Sequence, residues 1–208
     1  ALGDSYIIES GLRAGEEIAV NGTFSIDAAA QLAGKPSMMN PEAGSKNTTE
    51  DSSHITSFEI SDRAKKALKP LFNYYFNVKV ALSEDDFEKA KSQGTEMKNA
   101  LMEIDPSFFE DDAHEAWLKL SSNLKSGLEH ISHLQSIKSL RDDFIDISNI
   151  MIEVATVFNP LSETIYLQYC PMVNNDKGAI WLSKEKEIFN PYFGSKMLKC
   201  GETKKTLE

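Results

Sequence analysis

The sequence predicts a mainly α-helical protein: an up-and-down four-helix bundle with a small C-terminal β-hairpin and an N-terminal β remnant. Three observations favour this fold. Four blocks of apolar residues at helical spacing lie between Ser61 and Phe158, short β-like runs lie on both sides of them, and turn-forming residues separate the runs. Apolar residues three and four apart share one face of a helix, so each block is expected to bury that face against its neighbours. Short connections make successive helices antiparallel.

Each predicted helix has its own apolar stripe, and two of them have a start signal. Ser61 and Ser136 are expected to cap the first and the fourth helix. Pro70 lies inside the first block and is expected to kink or locally break it, because proline lacks the backbone N–H. The four stripes are Ala64, Leu68, Leu71, Tyr75, Val78 and Leu82; Phe87, Ala90, Gly94, Met97, Leu101 and Ile104; Ala113, Trp117, Leu120, Leu124, Leu128, Ile131 and Leu134; and Ile137, Leu140, Phe144, Ile147, Met151, Val154 and Phe158.

Composition divides the chain into three parts. Residues 1–34 are expected to be β-structure with an Asn21-Gly22 turn, but two or three strands alone do not make a stable sheet. This part therefore resembles the end of a larger β-domain, and its open strand edges favour self-association. Residues 35–57, rich in Pro, Gly and Ser, are typical of a linker. The domain of residues 58–208 holds the helices, about 61–158, and a β/turn segment, 159–208, with the strand-like runs "TIYLQYC" and "GAIWL".

Charge and missing motifs exclude several classes of function. The net charge is −10, and no run of Lys and Arg exceeds a pair, so we expect no nucleic-acid partner. No apolar run approaches the ~20 residues of a membrane span, and "ALGDSYIIES" does not have the pattern of a secretory signal. The sequence contains no nucleophile elbow, phosphate-binding loop, zinc-protease motif or dinucleotide-binding glycine run. We therefore expect that the protein is not an enzyme.

Two short stretches near the C-terminus each hold one cysteine and one methionine. Cys170 and Met172 lie in "YCPM", and Met197 and Cys200 lie in "MLKCG". Thiolate and thioether sulfurs prefer soft ions such as Cu(I), and a hairpin that brings the stretches together makes a sulfur-rich pocket. Trp181 is a candidate to cover a bound cation with its indole face. The alternative is a Cys170–Cys200 disulfide, or two buried thiols with Met172 and Met197 filling gaps in the packing.

His130 and His133 are a second, weaker metal candidate. Their three-residue spacing puts them on one face of the third predicted helix, beside Glu129. The paired Glu and Glu-x-x-His pattern of di-iron helical bundles is absent from the sequence. We therefore interpret both as surface histidines near the end of a helix.

Two regions resemble known families. The stretch "ESGLRAGEEIAVNGTFSIDAAAQL" resembles the closing segment of the membrane-proximal domain in periplasmic adaptor (membrane fusion) subunits of RND-type efflux pumps, with the Cus-type copper and silver exporters as the most similar branch. From Ser61 to about Gly201 the chain resembles a domain of unknown function that follows such adaptors at their C-terminus. The motifs that it shares are "YCPM", "WLS" and "NPYFG". "YCPM" is also similar to the opening of small heavy-metal-binding hairpins, although Val173 and Asn174 replace the usual His and Pro.

The resemblance implies a periplasmic, non-enzymatic role. The parent protein is then associated with the inner membrane and bridges an RND exporter there to an outer-membrane channel. The resemblance also implies a role in a metal-export assembly, for which the soft donors Cys170, Met172, Met197 and Cys200 are the candidate ligands of Cu(I) or Ag(I). A purely structural or protein-interaction module, stapled by a Cys170–Cys200 disulfide, is the alternative.

Overall fold

The computed structural model describes residues 57–207, which form one mainly helical unit with a small antiparallel sheet. The β-structure predicted over residues 1–34, its self-association, and all but the last residue of the predicted linker lie outside the described residues. The four long helices are α1 (Asp62–Ser83), α2 (Phe87–Met102), α3 (Asp111–Leu128) and α4 (Ile137–Phe158), and the strands are β1 (Ile165–Cys170), β2 (Ala179–Ser183) and β3 (Glu202–Leu207).

The helix starts follow from local capping. The hydroxyl of Ser61 accepts a hydrogen bond from the backbone N–H of Ala64 at 3.2 Å. At the start of α4, the hydroxyl of Ser136 accepts one from the backbone N–H of Ser139 at 3.2 Å. Helix α1 continues through Pro70, so a local break there is wrong, while the alternative of a kink stays a prediction. Pro70 and Lys66, whose carbonyl loses its helical donor, are both exposed, and water can replace the missing bond.

The predicted apolar stripes form the core. All of their members are buried except Phe87, Leu134 and Ile137, which are partly buried and pack against the core. Helix α1 contacts α2, α2 contacts α3, and α3 contacts α4, while α1 and α4 also contact each other. The buried faces of the four helices are therefore confirmed, but Ile104, Ile131 and Leu134 lie beyond the ends of the helices predicted to contain them. The up-and-down bundle arrangement remains a prediction.

The sheet has three strands in the order β2–β1–β3, both pairs being antiparallel, so the predicted two-stranded hairpin is incomplete. Strand β3 has the sequence "ETKKTL", which lacks the apolar alternation that signals a strand. It lies at the edge of the sheet, where lysines are common because they discourage pairing with other chains. Strand β2 packs against α4 and attaches the sheet to the helices.

Tyr75 joins α1 to α4 and to the sheet. It is fully buried, its hydroxyl bonds Ser148 Oγ at 3.0 Å, and it accepts the backbone N–H of Leu182 at 3.0 Å. Its ring stacks on Phe144 with centroids 5.2 Å apart. Burial raises the pKa of Tyr75 far above its ordinary value, so the phenol stays protonated.

We expect Tyr75→Phe to destabilise the protein by about 1–3 kcal/mol, because a buried N–H and a buried hydroxyl each lose their partner. Urea denaturation followed by circular dichroism measures the change. Tyr74→Phe, at the half-buried neighbouring position, is the control and should have a smaller effect. Equal effects of the two changes would show that the interior bonds of Tyr75 contribute little.

Asp85 and Arg141 fasten the C-terminal segment to the helices. Arg141 donates to Asp85 Oδ1 at 2.6 Å, to the carbonyl of Leu82 at 2.7 Å and to that of Pro191 at 2.9 Å. The backbone N–H of Ser195 donates to Asp85 Oδ2 at 3.0 Å. Hydrogen bonds from Ser195 and from Arg141 lower the pKa of Asp85 to about 2.

We expect Asp85→Asn to destabilise the protein in a pH-dependent way. The folded-state pKa lies below the unfolded value of about 3.9, so the carboxylate stabilises the fold above that pH. This contribution disappears as the pH falls through about 2. Asn also tolerates the positive φ of 60° at this position. Denaturation at several pH values should show the difference between the two proteins shrinking between pH 4 and 2, and a constant difference would contradict the expectation.

Candidate soft-metal site

The structure brings the two cysteines together. Cys170 is the last residue of β1 and is buried, and Cys200 lies just before β3 and is half-buried. Their sulfur atoms are 3.1 Å apart, and both are free thiols. A disulfide bond is about 2.05 Å long, so this is a contact between thiols. The hydrogen bond with Cys170, together with burial, raises the pKa of Cys200.

The sheet register positions this pair. Tyr169 and Glu202 are cross-strand partners, so the cysteines lie at the adjoining ends of β1 and of the segment that enters β3. Gly201, between Cys200 and Glu202, has a φ of 139°, and a Cβ there would lie 2.7 Å from the carbonyl oxygen of Tyr169. Glycine at this position allows the second cysteine to approach the first strand closely.

The two methionines lie beside the thiols along the chain, in different surroundings. Met197 is half-buried, and its carbonyl accepts the backbone N–H of Cys200 at 3.0 Å. Met172 is 48% exposed and lines an open groove of about 840 Å³ between α4 and the turn after β1. In this turn Asn174, Asn175 and Asp176 all have positive φ, a conformation that Asn and Asp tolerate better than other side chains. The structure therefore joins the thiols directly, whereas the methionines are neighbours of the cysteines along the chain.

Trp181 shares the sheet face that bears Cys170. It pairs across the strands with Gln168, two residues before Cys170, and alternate residues of a strand point to the same face. The ring is fully buried and meets Tyr192 edge-on, with centroids 5.7 Å apart. Its outer edge lies against Gly201, since a Cβ built there would be 3.1 Å from Trp181. The predicted covering residue is thus next to the backbone of the second cysteine.

Two unpartnered polar atoms lie on this same face. Within residues 57–207, the buried side-chain nitrogen and oxygen atoms without a hydrogen-bond partner are Trp181 Nε1 and Gln168 Oε1. Buried polar groups normally pair with protein, with water or with a ligand. The other end of Gln168 is occupied, because its Nε2 lies within hydrogen-bonding distance of the carbonyls of Glu185, Lys186 and Glu187. An indole donor and an amide acceptor on this face of the sheet are therefore available to a bound water or ligand.

The described residues contain no cluster of three or more His, Cys, Asp and Glu side chains that could hold a metal ion. His130 and His133 are exposed just beyond the end of α3, in agreement with their interpretation as surface residues. None of the helices described between residues 57 and 207 is long and apolar enough to span a membrane.

A family model matches part of the chain. Residues 71–163 match the family described as "Protein of unknown function (DUF3347)". This region covers a little under half of the chain, from within α1 to just before β1. No curated protein and no solved structure matches the chain. The match agrees with the resemblance of the helical region to a domain of unknown function and extends to neither the N-terminal stretch nor the cysteines.

Two buried polar residues of this region, Gln168 and Asn190, were not among the predicted site residues. Gln168 was hidden within a strand pattern, and its three carbonyl partners lie 17–19 residues away. Asn190 begins the "NPYFG" motif, but its bond to the carbonyl of Cys200 was not expected. A polar residue inside a strand that is otherwise buried is the signal that could have identified Gln168.

Proposed function

We propose that this chain is the C-terminal part of a periplasmic adaptor subunit of an RND-type heavy-metal efflux pump, and that its cysteine pair binds Cu(I) or Ag(I). The observation on which the metal-binding proposal rests is the 3.1 Å separation of the Cys170 and Cys200 sulfurs. The adaptor assignment is supported by the resemblance of residues 9–32 to adaptor subunits. In this proposal the helices form an up-and-down bundle that supports the sheet. The parent protein bridges an inner-membrane exporter and an outer-membrane channel.

The geometry suits a soft ion after a small adjustment. Metal–thiolate bonds of about 2.3 Å place two sulfurs of one ion roughly 4 Å apart. The thiols must therefore separate by about 1 Å, and binding releases their two protons. Met197 and Met172 are close enough along the chain to add a thioether ligand.

The test is a competition titration of the reduced, metal-free protein with Cu(I) against a chelator of known affinity. We expect one equivalent to bind, and Cys170→Ser and Cys200→Ser each to weaken binding more than about a hundredfold, because loss of outer partners alone costs 10–100-fold. Met172→Leu should have a smaller effect. Met102→Leu, at an exposed methionine on α2, is the control. Equal affinities of the wild type and a double-serine variant would exclude the metal site.

The second candidate is a scaffold module stapled by a disulfide, and the same sulfur distance favours it. Closing the bond requires the sulfurs to approach by about 1 Å, and oxidising compartments such as the periplasm promote this. Free thiols are therefore counted under denaturing conditions in protein isolated without reductant. Two free thiols support the metal site. No free thiol, together with weak Cu(I) binding after reduction, supports the staple.

A further inference from the structure

Asn190 joins the start of the loop of residues 190–200 to its end, where Cys200 lies. The side chain is fully buried, and its Nδ2 donates to the carbonyl of Cys200 at 2.7 Å. Its backbone N–H donates to the carbonyl of Leu198 at 2.9 Å. Asn190, at the start of the loop of residues 190–200, therefore bonds two residues at its end, Leu198 and Cys200.

The rest of the Asn190 amide fixes its orientation. Oδ1 accepts the backbone N–H groups of Tyr192 at 2.8 Å and of Phe193 at 3.2 Å. An amide oxygen accepts and an amide nitrogen donates, so these two bonds determine that the nitrogen points to Cys200. The oxygen thus holds the first turn of the loop, and the nitrogen holds its last residue.

We propose that Asn190 is a positioning residue of the soft-metal site, which holds Cys200 so that its sulfur meets that of Cys170. This inference rests on the proposed function. The backbone bond from Cys200 to Met197 lies within the loop and does not fix the loop relative to β1. The Asn190 bond links Cys200 to the start of the loop, which Arg141 fastens to α4 through the carbonyl of Pro191. The helices and the second thiol are thereby connected through two hydrogen bonds.

Two substitutions separate this role from others that Asn190 performs. Asn190→Ser provides a hydroxyl that can accept from the turn but is too short to reach Cys200, and it adds no charge. Asn190→Asp keeps the size and the accepting oxygen but replaces the donor. The changes that the two variants share are the loss of the amide and of its bond to Cys200. Asn99→Ser and Asn99→Asp, on the exposed face of α2, are the matched controls.

The first measurement requires no metal. Each protein is equilibrated with mixtures of reduced and oxidised dithiothreitol, so that protein dithiol and oxidised reagent exchange to protein disulfide and reduced reagent. The equilibrium constant reports how closely the two protein thiols are held. We expect both Asn190 variants to lower it at least tenfold relative to the wild type and to the Asn99 controls. The second measurement is Cu(I) affinity, for which we expect a loss of at least tenfold in both variants.

The outcomes distinguish the two proposals. A dithiothreitol equilibrium within twofold of the wild type in either folded Asn190 variant overturns the positioning role. A lowered dithiothreitol equilibrium constant together with an unchanged Cu(I) affinity also overturns the positioning role of Asn190 in the metal site. If the wild type and the double-serine variant bind Cu(I) equally, the proposed function fails, and the dithiothreitol equilibrium still decides whether Asn190 holds the thiols together. Circular dichroism spectra verify that each variant is folded.

Discussion

Replacing Trp117 with alanine is expected to lower the free energy of unfolding by about 3–5 kcal/mol. Trp117 is 1% exposed, stacks on Phe109 with centroids 4.7 Å apart and meets Phe158 edge-on at 6.2 Å. It therefore joins α3 to α4 and to the loop before α3. Removing the indole leaves a cavity between elements that meet at this point, and the neighbouring rings lose their contacts.

The expected loss is large relative to the total free energy of unfolding of a domain. Domains are stable by about 5–15 kcal/mol, and at this size each kcal/mol shifts the melting temperature by about 2–4 °C. We therefore expect a drop of roughly 6–20 °C by calorimetry or circular dichroism. The control is Leu118→Ala on the same helix, where the side chain is 46% exposed and the change should stay within about 0.5 kcal/mol. Similar losses at both positions would mean that the stripe of α3 does not determine its stability.

The success of the helix prediction has a simple physical origin. Each stripe repeats a short spacing over five or six turns, so the pattern depends on residues close together in the sequence. Strand β3 gives no such signal. Its partner β1 begins about 40 residues earlier in the chain, and its own residues are mostly polar and exposed. Its pairing depends on long-range backbone hydrogen bonds, which composition does not indicate.

The site was predictable to a more limited extent. Two cysteines, each with a nearby methionine, indicated a sulfur cluster, and the structure places the thiols in contact. The choice between metal and disulfide depends on a movement of about 1 Å in either direction, which no sequence pattern specifies. The supporting bonds of Asp85 and Arg141 join residues 56 positions apart, each of which resembles an ordinary surface charge in the sequence.

A buried lysine connects α1 to the segment after β2. Lys79 is 1% exposed, and its Nζ lies 3.0 Å from Glu185 Oε2, whereas the Glu185 side chain is 48% exposed. Ser183 Oγ also donates to that carboxylate at 3.0 Å. Burial lowers the pKa of Lys79, and the bond to Glu185 opposes this change. The two partners therefore differ: the ammonium depends on the carboxylate, while the carboxylate also has access to water.

We expect Glu185→Ala to destabilise the protein by about 3–5 kcal/mol, because it leaves a buried ammonium without a counter-ion. Lys79→Met should change stability by only about 1 kcal/mol, since methionine fills the buried space and the remaining carboxylate is hydrated. In the Lys79→Met background, Glu185→Ala should then cost little. Urea denaturation of the four proteins gives the coupling between the residues. Equal costs of the two single changes would contradict this asymmetry.

The pH dependence tests the same cause independently. In the Glu185→Ala variant the folded-state pKa of Lys79 lies further below the unfolded value of about 10.4, because the bond that opposed desolvation is gone. The unfolded chain then binds more protons than the folded one, so stability must rise with pH up to that value. The double variant lacks the lysine and should show no such additional rise. If the two variants respond to pH in parallel, the loss of stability comes from Glu185 contacts other than the ammonium, such as the bond to Ser183.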